Sequence, residues 1–592
     1  MHARAALLLA PCAAATALLF SPALAASPPP SGCAGRAAPV AYRPGHVLAN
    51  PPSNAPRVCG FTTGFPAAES HIVVTGKGQV VFTPAVAPSG LVGTGEGPGV
   101  AGSTQGNATP GGLAVTADDG EHWSMVQPDG VTWNPTDHGE YVDPRSGRFF
   151  FEDYGPIPLA PQLGADQEGP AYISWSDDLH TWQHSVLLGL TLPENPRFTS
   201  GIAPSGQPTP GGGYPSVLYF CANTNVGFTS PAIVGRLCYR SLDGGSSWTM
   251  RSQLLNALVP RHAECGTSGE NLTAVDGYYP ESTRDGSLYT LVACGGKTFL
   301  ARSTDEAATF PVVHTASGPV QLTLPVDSVL NLGSGPQLRI DDHDNFYVVY
   351  PSSGGGSLTH LLLITSTDRG LTWSKPADIT PPGVASILRW SVAVRHPGEL
   401  ALSLVAQRAG QSTFDAVMAS TTNALEASPL LWSAVTNTAP ILYASHISGA
   451  GYIVLGQGQI AVPDPFPLGI QPIAGPLSAG QDFIGVTIGP DGTVWGSFDA
   501  DCGPTAKSAG CVASNDQTHG FVGALRPHVA PARPPTKTPV KIPAKHPTVT
   551  PPGHGLAATG VPRTLGVVAL LLTLGAGAVL RARTRGSSST QR

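Results

Sequence analysis

Acidic and histidine side chains stand just ahead of several predicted strands, where they could do chemistry at one end of a sheet. The residues that we select as catalytic candidates are Asp137, Glu140, Glu270, Tyr278 and Glu281. Those that we select as ligand-binding candidates are Glu69, His71, His138, Arg389, Trp390 and Asp482. Carboxylates held several ångströms apart can hydrolyse a glycosidic bond. An acidic set with an Arg–Trp corner could instead bind a sugar or a cation, and polar loop ends also occur without any function.

A second acidic series recurs with a fixed period. Five stretches, the third of which reads "SLDGGSSW", place their aspartates about 60 residues apart. The aspartates are Asp118, Asp177, Asp243, Asp305 and Asp368, and the aromatic residues that close the stretches are Trp123, Trp182, Trp248, Phe310 and Trp373. An aspartate in a tight turn accepts hydrogen bonds from its own backbone, and glycine there permits positive φ. We therefore predict that Asp243 stabilises a turn and is neither a catalytic base nor a metal ligand. The stretch "DDHD" at 341–344 is interpreted in the same way.

Each of these stretches follows a strand, a polar turn and another strand. Examples are "IVVTGKGQVVFTP" (72–84), "LRIDDHDNFYVVY" (338–350) and "VTIGPDGTVWGSF" (486–498), which are β-branched and aromatic runs around turn residues. Four strands per unit, repeated about seven times, predict an all-β chain folded as a β-propeller. Seven blades are favoured, with six as the alternative. The last unit lacks its fourth strand, and we expect the segment near 40–48 to supply it.

The recurring pattern Ser-x-Asp-x-Gly-x-x-Trp is the Asp box, and the chain resembles the Asp-box (BNR) propellers of the sialidase superfamily. One full match is Ser241, Asp243, Gly245 and Trp248, and the other is Ser366, Asp368, Gly370 and Trp373. The resemblance covers most of residues 70–527. It implies that the boxes lie on the outer hairpin of each blade, away from a central substrate face. Such motifs occur in sialidases, other glycosidases, sorting receptors and proteins without catalysis.

The resemblance to sialidases also implies a set of active-site residues. Sialidases bind the substrate carboxylate with three arginines, use a Tyr–Glu pair as nucleophile and use an aspartate as acid/base. The first arginine belongs to an Arg-Ile-Pro motif, which is absent here, since Arg43 is followed by Pro44 and Gly45. We therefore expect a propeller whose central face binds a glycan or a protein. An exo-acting glycosidase of the sialidase type is the alternative, and a purely structural surface protein is a third hypothesis.

Both ends of the chain carry targeting signals. Residues 1–25 have a basic start, an apolar run and an Ala-Leu-Ala cleavage site, which predict a secretory signal peptide. Residues 26–65 form an N-terminal segment, and residues 66–527 form the predicted propeller. A linker rich in Pro, Thr and Lys follows at 528–555. We predict an extended conformation for it.

The last 37 residues combine the pentapeptide "LAATG" (556–560), an apolar segment (561–580) and a basic tail (581–592). The apolar segment is long enough to span a bilayer, and the arginines would stay on the cytoplasmic side. This order resembles a sortase sorting signal, with motif residues Leu556, Ala557, Thr559 and Gly560. The resemblance implies cleavage after Thr559 by a sortase partner and attachment to the wall of a Gram-positive bacterium. A simple membrane anchor is the alternative.

Cysteine number and charge narrow the remaining classes. Nine cysteines are present, and Cys12 lies in the signal peptide. The other eight favour disulfides in an exported protein, and neighbouring residues suggest the pairs Cys33–Cys59, Cys221–Cys238, Cys265–Cys294 and Cys502–Cys511. No CxxC pair indicates a zinc site, and no motif calls for a cofactor. A charged fraction of 12% and a net charge of −7 offer no basic surface for nucleic acid.

Overall fold

The computed structural model describes residues 31–67, 70–83, 113–126, 139–156, 168–191, 194–225, 233–256, 260–270, 279–324, 335–354, 357–443, 453–454, 478–479, 484–501 and 518–528. The chain divides into a unit of residues 1–533 and a unit of residues 534–592, and every described residue belongs to the first. The signal peptide, residues 529–555 of the linker and the sorting signal lie outside the described residues. Within the described ranges, no helix has the length and apolar character needed to cross a membrane.

Seven four-stranded antiparallel units, blades I to VII, make up the described chain. Blade I contains β4 (His71–Val74), β5 (Val80–Thr83), β6 (Leu113–Thr116) and β7 (Ser124–Val126). Blade II contains β8 (Gly139–Val142), β9 (Phe149–Pro156), β10 (Glu168–Ser176) and β11 (Gln183–Thr191). Blade III contains β12 (Glu194–Gly201), β13 (Val217–Asn225), β14 (Ile233–Ser241) and β15 (Thr249–Asn256). Blade IV contains β16 (Glu281–Ser282), β17 (Leu288–Cys294), β18 (Lys297–Ser303) and β21 (Gln321–Leu322).

The remaining blades complete the set. Blade V contains β22 (Gln337–Ile340), β23 (Phe346–Gly354), β24 (Ser357–Ser366) and β25 (Ala377–Asp378). Blade VI contains β26 (Val384–Val394), β27 (Leu400–Arg408), β28 (Thr413–Thr421) and β29 (Leu431–Val435). Blade VII contains β33 (Val486–Ile488), β34 (Val494–Asp501), β35 (Thr518–Arg526) and β3 (Arg57–Pro66).

Short elements lie beside the blades. They are β1 (Val40–Arg43), β2 (His46–Val47), β19 (His314–Thr315), β20 (Gly318–Pro319), β30 (Leu442–Tyr443), β31 (Ile453–Val454) and β32 (Ser478–Ala479), with 3-10 turns at Ser31–Cys33 and Ala263–Cys265. Strands β1 and β2 extend the sheet of blade VI through β29, and β19 pairs with β20.

The innermost strands contact one another in a closed ring. In order around it they are β4, β8, β12, β16, β22, β26 and β33, and β33 returns to β4. The predicted β-propeller is therefore confirmed with seven blades, and the six-bladed alternative is wrong. Neighbouring blades cover both faces of the second strand of a blade, which explains why every residue of the apolar β17 is buried.

The ring closes with a different N-terminal strand from the one that we expected near 40–48. Strand β3 pairs with β35 along most of its length, from Arg57 opposite Arg526 to Thr62 opposite Phe521. It buries Val58, Cys59 and Phe61. The segment expected to close the ring instead places Tyr42 opposite Leu431 of blade VI. The longer apolar strand occupies the closing position because it removes more apolar surface from water.

The predicted Asp-containing turns connect the third and fourth strands of blades I to V. Asp243 Oδ1 accepts hydrogen bonds from the hydroxyl of Ser241 (2.8 Å) and the backbone N–H of Ser247 (2.8 Å), while Ser247 Oγ donates to Oδ2 (2.6 Å). Gly245 has a φ of 97°, and a Cβ there would lie 2.8 Å from Phe150 of the neighbouring blade. The glycine is thus needed both for conformation and for close packing.

The equivalent turn of blade II uses Asp178 and not Asp177. Ser176 Oγ donates to Asp178 Oδ1 at 3.1 Å, and the same oxygen accepts from the backbone N–H of Thr181 at 2.7 Å. This turn is one residue shorter than the others between its serine and its tryptophan, Trp182. The repeat spacing therefore selected the wrong one of two adjacent aspartates. Asp177 instead binds Arg148 of the same blade, at 2.7 and 2.8 Å.

Three of the predicted disulfides are confirmed. They join Cys33 to Cys59, Cys221 to Cys238 and Cys265 to Cys294. The first holds the segment before β1 against the closing strand, the second links paired strands of blade III, and the third fixes a loop between blades III and IV. Cys502 and Cys511 lie outside the described residues.

Candidate functional site

Charged and aromatic side chains of five consecutive blades come together at the starts of the innermost strands. We name this set the central arc: His71, Glu140, Arg197, Tyr279, Glu281 and Arg339. They form two interacting groups, one on the strands of blades I to IV and the other the pair of Glu281 and Arg339. His71 Nδ1 lies 3.9 Å from Glu140 Oε1, and Glu140 in turn is attracted by Arg197. The ring order of β4, β8, β12, β16 and β22 thus brings together residues that are far apart in sequence.

Glu140 is the most buried acid of the arc. Its side chain is only 1% exposed. Burial raises the pKa of this carboxyl to about 8, although Arg197 and a hydrogen bond with Thr83 both act to lower it. Removing a carboxylate from water disfavours its charged form, so Glu140 is mostly protonated at neutral pH. Such a group can donate a proton to a bound molecule, as a general acid does.

Tyr279 lies between two guanidinium groups. The Cζ atom of Arg197 is 5.8 Å from the centre of its ring, and that of Arg236 is 4.0 Å away. Arg236 is completely buried and donates from Nε to Asn223 Oδ1 at 2.9 Å. Both distances are those of cation–π contacts. The tyrosine therefore orients Arg197 from one side and is itself fixed by Arg236.

Glu281 and Arg339 form the far end of the arc, where Arg339 Nη1 lies 3.4 Å from Glu281 Oε1. Burial raises the pKa of Glu281 to about 7, and the charge of Arg339 opposes that shift. The two side chains nevertheless keep exposed fractions of 27% and 22%. Both side chains are therefore partly accessible to water. We use the name central recess for the surroundings of the central arc.

Two of the ligand-binding candidates lie inside blade VI. Trp390 is 1% exposed and packs among apolar residues of the same blade, including Ile387 and Leu404. Arg389 is 6% exposed, and its Nη1 donates to the carbonyl of Leu388 at 2.9 Å. The structure thus places both on the inner strand β26, with little surface offered to a ligand.

Glu270 is bound to its own loop. Its carboxylate accepts hydrogen bonds from the backbone N–H groups of Asn256 (2.6 Å), Arg261 (2.7 Å) and His262 (2.9 Å), and it lies 2.7 Å from Nδ1 of the same histidine. These contacts use both oxygens and explain the residue by the structure of a loop that also contains the Cys265–Cys294 disulfide. We therefore leave Glu270 out of the proposed site.

Five candidates lie outside the described residues. They are Glu69, Asp137, His138, Tyr278 and Asp482. Of the others, His71, Glu140 and Glu281 belong to the central arc. Among the described residues, no group of three His, Cys, Asp or Glu side chains is arranged to hold a metal ion.

The arginines of the arc were not selected from the sequence. Arg197 and Arg339 are single basic residues within inner strands, in "NPRF" and "LRID". No motif marks them. The available signal was position: in a chain with 32 basic residues among 592, an arginine inside an inner strand is unusual enough to examine.

No family model matches this chain, and no curated protein sequence matches it. Solved structures with a similar fold include a mutant of NanB sialidase from Streptococcus pneumoniae, which is 12% identical over 68% of this chain and 70% of that one, with a TM-score of 0.35. The alpha-L-arabinofuranosidase Arb93A from Fusarium graminearum is 12% identical over 66% of this chain and 92% of that one, with a TM-score of 0.35. These scores carry no argument about function. The strand pairing itself shows the seven-bladed propeller.

Proposed function

We propose that this protein is exported, anchored at the surface of a Gram-positive bacterium, and binds an acidic glycan in the central recess. The observation that carries the proposal is that two arginines, Arg197 beside Tyr279 and Arg339 beside Glu281, lie on the inner strands β12 and β22, which both contact β16. Guanidinium groups bind carboxylates through charge-assisted hydrogen bonds, and the buried Tyr279 holds Arg197 in place for that role. The low overall charge of the chain leaves these arginines as a localised basic feature.

Binding is tested on an array of acidic and neutral glycans with the purified propeller. Arg197→Ala and Arg339→Ala should each weaken binding of acidic glycans by about tenfold to a hundredfold, because each removes a charged hydrogen-bond donor. Lys375→Ala is the matched control, since it removes one positive charge from an exposed position outside the recess. Equal binding by all three variants would show that the ligand lies elsewhere.

A second function, glycoside hydrolysis, is favoured by the burial of Glu140 beside Arg197, which raises the pKa of its carboxyl to about 8. A carboxylic acid with a pKa of about 8 is suited to protonate a leaving-group oxygen at neutral pH. A panel of aryl glycosides, including a fluorogenic sialoside, tests this. Turnover that falls by about a hundredfold or more in Glu140→Gln would make the protein an enzyme. The absence of turnover in the wild-type protein leaves the binding function.

Anchoring is tested separately from binding. The sorting motif predicts that a sortase joins Thr559 to the cell wall, and that Thr559→Ala abolishes covalent attachment. Wall digestion followed by immunoblotting distinguishes attached protein from protein that detergent extracts. A Thr559→Ala protein that stays covalently bound to the wall would contradict the sortase hypothesis and leave the membrane-anchor alternative.

A further inference from the structure

The two arginines of the central arc have different acidic neighbours. Arg197 lies beside Glu140, a deeply buried carboxyl, and over the ring of Tyr279. Arg339 lies beside Glu281, whose side chain water can reach. The first arginine therefore faces an acid that is mostly neutral at pH 7, whereas the second faces an acid that changes its charge near that pH. The acidic neighbours of the two arginines should therefore affect ligand binding differently.

The guanidinium of Arg339 has three further acceptors besides Glu281. Its Nε donates to the carbonyl of Val392 in blade VI at 3.0 Å, and Nη1 donates to the carbonyl of Leu338 at 2.9 Å. Its Nη2 lies 3.4 Å from Gln337 Oε1. Among the described residues, Glu281 is the one charged acceptor of this guanidinium. A ligand carboxylate and Glu281 would therefore use the same donor groups.

Few other charges surround Glu281. Tyr289 lies opposite it on β17, and Tyr141 on β8 is close enough for Glu281 to act on its pKa. Arg197 on β12 lies over the ring of Tyr279, two residues before Glu281 in the sequence. In the described part of the recess, Arg339 on β22 is thus the partner on which the charge of Glu281 chiefly depends.

We infer that Glu281 is a specificity-determining residue that competes with an acidic ligand for Arg339, so that the recess binds acids more tightly when Glu281 is uncharged. The inference rests on the proposed function and adds the regulation of the same site. No covalent step is involved. Glu281 is part of the protein, and strands β16 and β22 hold it next to Arg339 at all times.

The consequence is a dependence of ligand binding on pH. The pKa of Glu281 is about 7, so the side chain is neutral in mild acid and leaves Arg339 available. Above that pH the carboxylate pairs with Arg339 and opposes the ligand. Glu140, with His71 at 3.9 Å, adds a separate loss of affinity near its own pKa of about 8 beside Arg197. A sugar acid stays ionised throughout this range, so its own titration does not contribute.

The experiment measures binding of D-glucuronate by calorimetry between about pH 6 and about pH 8, with D-glucose as the uncharged probe. Wild-type affinity for glucuronate should fall about tenfold across this range. Glu281→Gln should bind glucuronate about fivefold to tenfold more tightly at the upper pH and should lose the part of the pH dependence centred near 7. Glu399→Gln is the matched control, because Glu399 forms a similar ion pair with Arg395 (3.1 Å) away from the recess.

The outcomes separate the inference from the proposed function. If wild-type protein binds glucuronate and Glu281→Gln keeps the wild-type pH profile, the inference is overturned while the glycan-binding function stands. If no sugar binds, the glycan proposal loses its support, and inorganic sulfate then tests the competition directly. Sulfate bound at Arg339 should raise the pKa of Glu281, measured by carbon NMR of labelled glutamate. An unchanged titration of Glu281 in sulfate would overturn the inference in that case.

Discussion

The pKa values of carboxyl groups are shifted in opposite directions at the two ends of the propeller. At the end that carries the Asp-containing turns, the turn face, hydrogen bonds from the backbone of Thr181 and His180 lower the pKa of Asp178 to about 2. In the central recess, burial raises the pKa of Glu140 to about 8. A carboxyl group at the turn face accepts several hydrogen bonds, whereas a carboxyl group in the recess is removed from water. Carboxyl groups at the turn face are held in their charged form, and those in the recess are shifted towards their neutral form.

The largest expected effect concerns Asp143, a buried acid at the turn face. It accepts hydrogen bonds from Ser146 Oγ (2.6 Å), Tyr214 Oη (2.7 Å) and Ser200 Oγ (2.7 Å), and thereby joins blade II to blade III. Asp143→Ala leaves these hydroxyls without their acceptor and should lower the free energy of unfolding by about 4 kcal/mol. Urea denaturation at neutral pH measures it. Asp143→Asn, which keeps one acceptor oxygen, should lose less, and equal losses would contradict this explanation.

Glu140→Gln tests the raised pKa of the buried carboxyl in the recess. A folded-state pKa raised from 4.5 to about 8 means that the folded protein holds a proton that the unfolded chain releases. This group's contribution to stability is therefore fully present below about pH 4.5 and is lost as pH rises towards about 8. Glu140→Gln should remove roughly 3 kcal/mol of the decline between about pH 4.5 and about pH 7, measured as melting temperature against pH. A variant whose pH profile is as steep as that of the wild type would show that Glu140 ionises normally.

A smaller effect is expected for the Asp-containing turns themselves. Asp243→Ala removes the acceptor of three hydrogen bonds at a partly exposed turn and should cost about 1 kcal/mol of unfolding free energy. It should leave glycan binding unchanged, because the turn face is remote from the recess. Thermal unfolding and the glycan array together check both parts. Loss of binding without loss of stability would mean that the two faces are not independent.

The fold was predictable because it repeats. The period of the Asp-containing stretches and the strand–turn–strand units predicted four strands per blade, and the structure has four strands in each of its seven blades. The closing strand was not predictable from the same signal, since β3 lies before the first repeat. Its pairing with β35 depends on contacts between residues 57–66 and 518–526. No local sequence pattern predicts such contacts.

The site was less predictable, as Glu140 and Glu270 illustrate. Both are single glutamates ahead of a predicted strand, and their sequences do not distinguish them. One is desolvated beside Arg197, and the other is bound by three backbone N–H groups of its own loop. That difference arises from the path of the loop and the packing of neighbouring blades. For the same reason the arginines of the arc, which carry no motif, became visible only when the inner strands were placed in a ring.

The closing strand has a consequence for how the protein is made. A chain that is synthesised and exported from its N-terminus delivers β3 early, yet its partner β35 is among the last strands to emerge. Strand β3 therefore stays without its partner until nearly the whole chain has been synthesised. The conformational entropy of joining such distant segments is lost only when β35 pairs with it. Pairing of β3 with β35 thus requires a chain that has been synthesised at least as far as β35. A polypeptide truncated before residue 518 should expose the edge of β3 and the side chains that line it, which is the kind of surface that quality-control proteases and aggregation act upon.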